Sequence, residues 1–522
     1  MRHISLWGMT VLALTCLPTH LFATETKPNQ PPNILFIFSD DLAYQAISAY
    51  GDSRQLLQTP HIDRVAKEGI RFDRCLVTNS ICGPCRATIL TGKYSHKNGF
   101  YNNSNSRFDS TQTTFPKLLQ ANGYSTAIIG KWHLMTNPTG FDHWDILPGQ
   151  GRYYNPPMIS NGKNVQREGY VTDIITDLSI DWLKNRDKSK PFLLMAQHKA
   201  PHREWSPALR HLGFNGDKPF AEPSTLFDLY KDRAQAVVNH DMGIDRTFTK
   251  LDAKLVPPPG INSVQLEEWN KYYLPRNNEF ESANLSGQEL VRWRYQRYMH
   301  DYLGCVKAVD ESVGRLLQTL EDEGLADNTL VVVTSDQGFY LGEHGWFDKR
   351  WIFEESVRTP MVARWAGVIP PGQTNGQLVS LLDMAQTFLG AAGVAAPTDM
   401  QGANMLPLMK GESVADWRKS LYYRYYEYPS PHRVKPHYGV VTDRYKLVHY
   451  EGKDGGEWEL LDRQVDPLEV KSFHQDPAYE STMAELKAEI RRLQEVVDDK
   501  TPPPAKAYGN DKLEWEPFGQ LK

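Results

Sequence analysis

Short apolar runs and helix-patterned stretches alternate along the first three quarters of the chain. Residues 33–38, 124–129, 192–196 and 330–333 are brief, largely apolar segments, as expected of strands buried on both faces of a parallel sheet. Between them lie helix signals. Residues 59–69 place Thr59 at an N-cap, Pro60 at the first helical position and Gly69 at the far end, which predicts a short helix. Residues 114–123 repeat the device with Pro116 and Gly123, and 171–183 pattern as an amphipathic helix. Ser286 and Glu289 form the spacing of a capping box. It opens a long helix whose Tyr298, Tyr302, Cys305, Val309, Val313, Leu316 and Leu320 recur at helical spacing, the mark of a core-facing stripe. Strand, helix, strand alternation predicts an α/β fold with parallel strands.

The pattern changes from Leu421. Residues 438–441 and 445–450 read as a hairpin around Asp443-Arg444, 458–461 as a third strand, and Met483, Leu486, Ile490, Leu493 and Val497 as one face of a helix. A small antiparallel sheet with a helix is expected there. Residues 370–411 read as connections around a short helix near 381–390, and 205–285 are aromatic and charged without a period, so no chemistry is assigned to them. No internal repeat or low-complexity tract is found.

The first 23 residues have Arg2 and His3, an apolar run from 4 to 17 and a small residue at Ala23, the form of a secretory signal peptide. That run is too short for a membrane-spanning helix, and Leu14-Thr15 before Cys16 makes a poor lipoprotein signal. The expected location is secreted or periplasmic. Of 5 cysteines, Cys75, Cys82, Cys85 and Cys305 remain after cleavage, too few and too scattered for a disulfide scaffold in 522 residues. A net charge of -5 gives no basic field for nucleic acid.

Chemistry gathers at strand exits. The first apolar run ends in Ser39-Asp40-Asp41, where open α/β sheets place ligands. Two adjacent carboxylates there repel each other and are costly to desolvate, and a divalent cation relieves both; a solvated loop with an N-cap Asp is the plainer alternative. The run at 330–333 ends in Thr334-Ser335-Asp336-Gln337, repeating the arrangement. Three carboxylates and an amide form an all-oxygen set suited to a hard cation such as Ca²⁺. The strand at 124–129 leads into Gly130-Lys131-Trp132-His133, and 192–196 into Gln197-His198-Lys199-Ala200-Pro201-His202.

Residues 81–92, Ile-Cys-Gly-Pro-Cys-Arg-Ala-Thr-Ile-Leu-Thr-Gly, admit three readings. Cys82 and Cys85 have the spacing of a thioredoxin-type redox pair, though Ile81 stands where such motifs have Trp. They could instead be two buried structural thiols. Cys82, Pro84, Arg86, Leu90, Thr91 and Gly92 together resemble the Cys-x-Pro-x-Arg-x-x-x-Leu-Thr-Gly signature of type I sulfatases, with Cys85 where that family more often has Ser. Gly130 to His133, Ala200-Pro201-His202, Asp336-Gln337 and the run from Lys349 to Pro360 fall in the family's order, so the resemblance covers roughly 33–470.

The resemblance implies an alkaline-phosphatase-like mixed sheet sandwiched by helices over 30–415, a C-terminal subdomain with antiparallel sheet and helix over 416–500, and an extended tail over 501–522. It implies that a maturation enzyme oxidises Cys82 to formylglycine, an aldehyde whose hydrate is the nucleophile and can expel sulfate by collapsing back. Asp40, Asp41, Asp336, Gln337 and the modified Cys82 would hold Ca²⁺. Arg86 would fix the hydrate, His133 would act on it, and Lys131, Lys349 and His202, in preference to His198, would contact sulfate. In alkaline-phosphatase relatives a His commonly follows this Asp and builds a two-zinc site, whereas Gln337 favours one hard metal. Glu343-His344-Gly345-Trp346 and His437-Tyr438-Gly439 resemble runs in bacterial enzymes acting on sulfated oligosaccharides and polysaccharides, including N-acetylglucosamine-6-sulfatases, and the aromatic content suits a sugar. Sugar identity and sulfate position stay open. The alternatives are a phosphatase or phosphonate hydrolase of the same fold, a periplasmic thiol-disulfide protein, and a glycan-binding protein with a dead site.

Overall fold

The computed structural model describes Met1 and residues 30–429, 431–452 and 455–500. The expected signal peptide and the tail from 501 fall outside the described residues.

The strands, in chain order, are β1 (Asn33–Ser39), β2 (Ile70–Leu76), β3 (Ser125–Lys131), β4 (His143–Leu147), β5 (Pro157–Ser160), β6 (Lys163–Gln166), β7 (Phe192–Gln197), β8 (Thr329–Ser335), β9 (Arg358–Arg364), β10 (Gln373–Asn375) and β11 (Val379–Ser380). They build one 11-stranded sheet in the order β10-β2-β9-β8-β1-β7-β3-β4-β5-β6, with β11 on β2. The four predicted strands form its centre, β8-β1-β7-β3, all parallel. β9 runs antiparallel between β2 and β8, which makes the sheet mixed. β2 escaped the sequence reading because Arg71, Asp73 and Arg74 interrupt its apolar positions and lie half-buried.

Alternation along the central strands divides the core. Ile34, Phe36, Phe38, Leu193, Met195, Leu330 and Val332 pack on one side with Cys85, Ala87, Ile89 and Leu90 of the helix Cys82–Thr91. Leu35, Ile37, Leu194, Ala196, Val331 and Val333 pack on the other with the helices Val171–Asn185 and Gly287–Asp322. Burying each large aliphatic side chain contributes about 1.5–3 kcal/mol, so both faces stabilise the strand order.

Three predicted caps are corrected, the first being Thr114, whose side chain makes no cap hydrogen bond to the helix Phe115–Ala121. Thr59 precedes the helix Pro60–Lys67 but its side chain makes no cap hydrogen bond; its hydroxyl donates 3.0 Å to Asp63 Oδ1 and accepts 3.0 Å from the Ser48 amide, fastening a neighbouring turn instead. Ser286 likewise leaves the long helix uncapped by its side chain, at an exposed end where water can serve the free amides. A capping box does form in the stretch left unread. Asn262 caps the helix Ser263–Ala283 by accepting from the Gln265 amide at 2.9 Å, and the Gln265 side chain accepts from the Asn262 amide at 3.0 Å.

The second sheet is antiparallel, β12 (Ser420–Tyr425), β13 (His437–Thr442), β14 (Tyr445–Tyr450) and β15 (Glu457–Asp462), in that order. One face packs Tyr422, Val440, Leu447 and Leu460 against Leu486, Ile490, Leu493 and Val497 of the helix Glu480–Val497. The other joins the large core through Tyr423, Tyr425, Val441 and Leu461, against Trp351, Ile352 and Phe353. Arg233 and Glu459, both 0% exposed, pair at 2.8 Å across this seam. No helix among the described residues is long and apolar enough to cross a membrane.

Candidate active site

Parallel register brings the acidic residues together. Ser39 of β1 lies opposite Ser335 of β8, so Asp40-Asp41 and Asp336-Gln337 leave adjacent strand ends at the same height. The Asp41 amide donates to Asp336 Oδ1 at 3.0 Å and the Leu42 amide to Ser335 Oγ at 2.8 Å. The Tyr302 hydroxyl, on the long helix, donates to the Asp41 carbonyl and accepts from the Ala43 amide, both at 2.7 Å. Carboxylate oxygens of Asp40, Asp41 and Asp336 lie within 4.8 Å of one another, and so do ligand atoms of Asp40, Cys82 and His202. All four strand-end residues and Cys82 are fully buried.

Three cations offset this charge. Lys131 Nζ donates to Asp40 Oδ2 and to Gln150 Oε1, and Lys349 Nζ donates to both Asp41 oxygens at 2.7 Å. Arg86 lies between the strand ends: Nη1 donates to the Lys131 carbonyl at 2.7 Å and to Gln197 Oε1 at 2.8 Å, and Nη2 to Asp336 Oδ2 at 3.1 Å. Gly130 permits that spacing, because at φ +115° a Cβ there would stand 1.8 Å from the Gln197 carbonyl oxygen.

The three cations match the three carboxylates in number but do not relieve them equally. Burial and then Asp40 push Asp336 well above the usual carboxylate range. Burial raises Asp41 to about 6 despite Lys349, with Asp40 adding to the rise. Asp40 is opposed by its own burial but held well below its ordinary value by Lys131, His202 and Arg86. Asp40 Oδ1 and Gln337 Oε1 are buried with no hydrogen-bond partner. Unpartnered oxygens beside three carboxylates fit a hard cation.

Cys82 opens its helix with Sγ 3.8 Å from Gln337 Nε2; as an unmodified thiol, that Sγ stands in for the oxygen of a modified side chain. Cys82 and Cys85 are both free. Burial raises both thiols well above their ordinary pKa, with Asp40 next in effect on Cys82 and Asp336 on Cys85. Thiol-disulfide exchange needs the opposite shift and an accessible sulfur, so the burial of both thiols opposes the redox reading.

His133 is buried at φ 55°, its Nδ1 unpartnered, and burial and then Lys131 depress its pKa. His202 Nε2 lies 3.8 Å from Asp41 Oδ2. Its Nδ1 hydrogen-bonds the Arg203 carbonyl, an acceptor only, so Nδ1 carries a proton. His198 turns away, its Nε2 3.0 Å from Ser312 Oγ on the long helix.

Several residues that face or support the cluster were not legible beforehand. Gln150 follows β4 as Asp40 follows β1, so the strand-exit rule would have found it had β4 been recognised. Asp348 faces Lys349, Arg350 and His432 at 3.4, 3.6 and 2.8 Å, and Arg350 Nη1 donates to the Tyr425 hydroxyl at 3.2 Å. His432 arrives from a loop before β13, and no sequence signal announces it.

The chain matches the family described as Sulfatase over residues 32–394 and that described as N-sulphoglucosamine sulphohydrolase, C-terminal, over 342–496. It is 47% identical over 500 residues to the N-acetylglucosamine-6-O-sulfatase of Bacteroides thetaiotaomicron, covering 92% of this chain and 89% of that one. The human N-acetylglucosamine-6-sulfatase is 27% identical over 457 residues, 81% of this chain and 72% of its own. A solved structure of a protein in complex with its substrate D-glucosamine-2-N,6-O-disulfate superposes with a TM-score of 0.88 at 46% identity, covering 91% of this chain and 100% of that chain. With its strand-end acidic cluster on an alkaline-phosphatase-like sheet, the chain belongs to the sulfatase family and is a sulfuric ester hydrolase.

Proposed function

We propose that this sulfatase removes the 6-O-sulfate from N-acetylglucosamine or a related glucosamine in a sulfated glycan. The observation that carries the reaction is the convergence of Cys82, Lys131, Lys349 and His202 on three clustered carboxylates. The sugar is taken from the activities of the relatives at 46–47% identity.

Asp40, Asp41, Asp336 and Gln337 would hold Ca²⁺, with position 82 completing the set. Bound there, the ion supplies positive charge for the carboxylates and for a sulfate oxygen, and the aldehyde derived from Cys82 supplies the nucleophile as its hydrate. The chain's own residues do the rest. Lys131, between Asp40 and Gln150, and Lys349, on Asp41, would gather sulfate charge with the ammonium donors that remain. Arg86 fixes the strand ends and orients position 82. His202 holds Nδ1–H on the Arg203 carbonyl, leaving Nε2 toward the substrate; burial and then Lys131 hold its pKa well below the ordinary value, so it is the negative sulfate arriving beside Nε2 that favours a proton there, and that proton passes to the departing sugar oxygen. His133, neutral because burial depresses its pKa, accepts the proton released in freeing sulfate.

A maturation enzyme converting Cys82, export through the leader at 1–23, a catalytic unit over 30–415 and a C-terminal unit over 416–500 complete the reading. The test compares N-acetylglucosamine-6-sulfate, N-acetylgalactosamine-6-sulfate and 4-nitrophenyl phosphate as substrates of protein from a host that carries out the maturation. Preference for the first is expected. Preference for the phosphate would replace the reading with the phosphatase alternative.

A further inference from the structure

The segment between β7 and the long helix grips the chain beside His202. Arg203 Nε and Nη2 donate to the two oxygens of Asp252 at 2.9 and 2.6 Å, a two-pronged pair, and Nη2 also donates to the Thr247 carbonyl at 2.6 Å. Asp252 is 1% exposed and is itself fixed, accepting from the Thr249 amide and hydroxyl at 2.7 Å each. Two residues on, Lys254 Nζ donates to the Glu204 carbonyl at 2.6 Å. The Arg203 side chain and the Glu204 carbonyl are therefore both tied to this segment, while the Arg203 carbonyl between them faces His202 Nδ1 and accepts from Lys199 Nζ at 3.4 Å. The Arg203 guanidinium lies over the Phe347 ring, 4.6 Å from its centroid. The Arg203 carbonyl is the group that accepts the hydrogen bond from His202 Nδ1–H.

We propose that Asp252 is a positioning residue for His202. By locking the Arg203 guanidinium, it fixes the carbonyl that selects the imidazole tautomer and aims Nε2 at the leaving oxygen. A bidentate carboxylate–guanidinium pair sets geometry in two directions, and the partner that orients a histidine governs which nitrogen faces the reaction. On the other side of the same backbone, the Tyr153 hydroxyl donates to the His202 carbonyl at 2.6 Å, so His202 is held from both flanks. The inference rests on the reading of His202 as the leaving-group acid.

The test measures kcat and KM of Asp252→Ala, His202→Ala and the double variant on N-acetylglucosamine-6-sulfate, whose alcohol leaves poorly, and on 4-nitrophenyl sulfate, whose phenolate needs no proton. Asp252→Ala is expected to lower kcat on the sugar sulfate roughly 10- to 100-fold, the range typical when a histidine's orienting partner is lost. KM should stay near its original value and 4-nitrophenyl sulfate turnover should change little. Added to His202→Ala, it should cost nothing further, because its effect passes through His202. Equal losses on both substrates, or an undiminished loss in the double variant, overturn the proposal. A leaving-group contrast in His202→Ala without one in Asp252→Ala sinks the positioning role alone, whereas no contrast in His202→Ala removes the acid reading beneath it. Should Asp252→Ala fail to fold by circular dichroism, Asp252→Asn and Arg203→Lys, which keep bulk and lose the two-pronged pair, are expected to give the same pattern, and its absence counts against the proposal equally.

Discussion

The floor of the site and its flank are built by opposite means. Asp40, Asp41, Asp336 and Gln337 need only the register of two adjacent parallel strands to meet, so four chemical groups are placed by one local rule. The flank around His202 needs Asp252, Lys254 and Thr247 from a loop between β7 and the long helix, about 50 residues away in sequence. The floor is therefore inseparable from the fold, while the flank can vary with little effect on the sheet. Chemistry common to the family fits the first, and adjustment to a particular leaving group fits the second.

The largest expected effect strikes the floor. Asp336→Ala leaves two adjacent carboxylates and an amide, too little charge for a tightly held cation, and should abolish both turnover and metal retention by atomic emission; full activity after exhaustive chelation would contradict the assignment. His133→Ala should release about one equivalent of sugar alcohol per enzyme and then stop, seen as a burst in rapid quench; steady turnover would give the base role to another group. His202→Ala is expected to lose roughly 10²–10⁴-fold on a sugar sulfate and far less on an aryl sulfate, and equal losses would pass the acid role to Lys349. Arg86→Met strips the cation from the strand ends and should cost roughly 3–5 kcal/mol of stability, as broken buried pairs do, measured by denaturant unfolding. The smallest effect belongs to the helix that follows that loop. Asn262→Ala removes a helix cap worth about 1 kcal/mol and should lower the melting temperature while leaving kcat unchanged; a fall in kcat would mean that the floor and the flank are less separable than the comparison holds.

The same contrast decides what could be read from residues alone. The central strands were legible because burial on both faces leaves continuous apolar runs, and the residues at their exits followed. The sheet margins were not, since β2 and the β4 to β6 ribbon are only partly buried and keep charged residues. Thr59 and Ser286 show that a capping residue can find better tertiary partners, or be left to water. Asp252, Asp348 and His432 had no local signal, because what places them is contact across distant parts of the chain.

Cys82 has 0% of its surface accessible. Its helix packs on the main sheet and its sulfur faces the acidic cluster, so an enzyme that must take the chain around residue 82 into its own cleft finds no hold on it in the folded protein, whereas a sulfate group has only to enter beside His202, whose side chain is 13% exposed. On the proposed reading, the enzyme that alters that thiol must therefore arrive while the chain is still open. Activity then becomes a matter of timing: a host in which folding outruns the modification should yield well-folded, soluble and inert protein, and slowing the folding step should raise the active fraction without changing a single contact in the final structure.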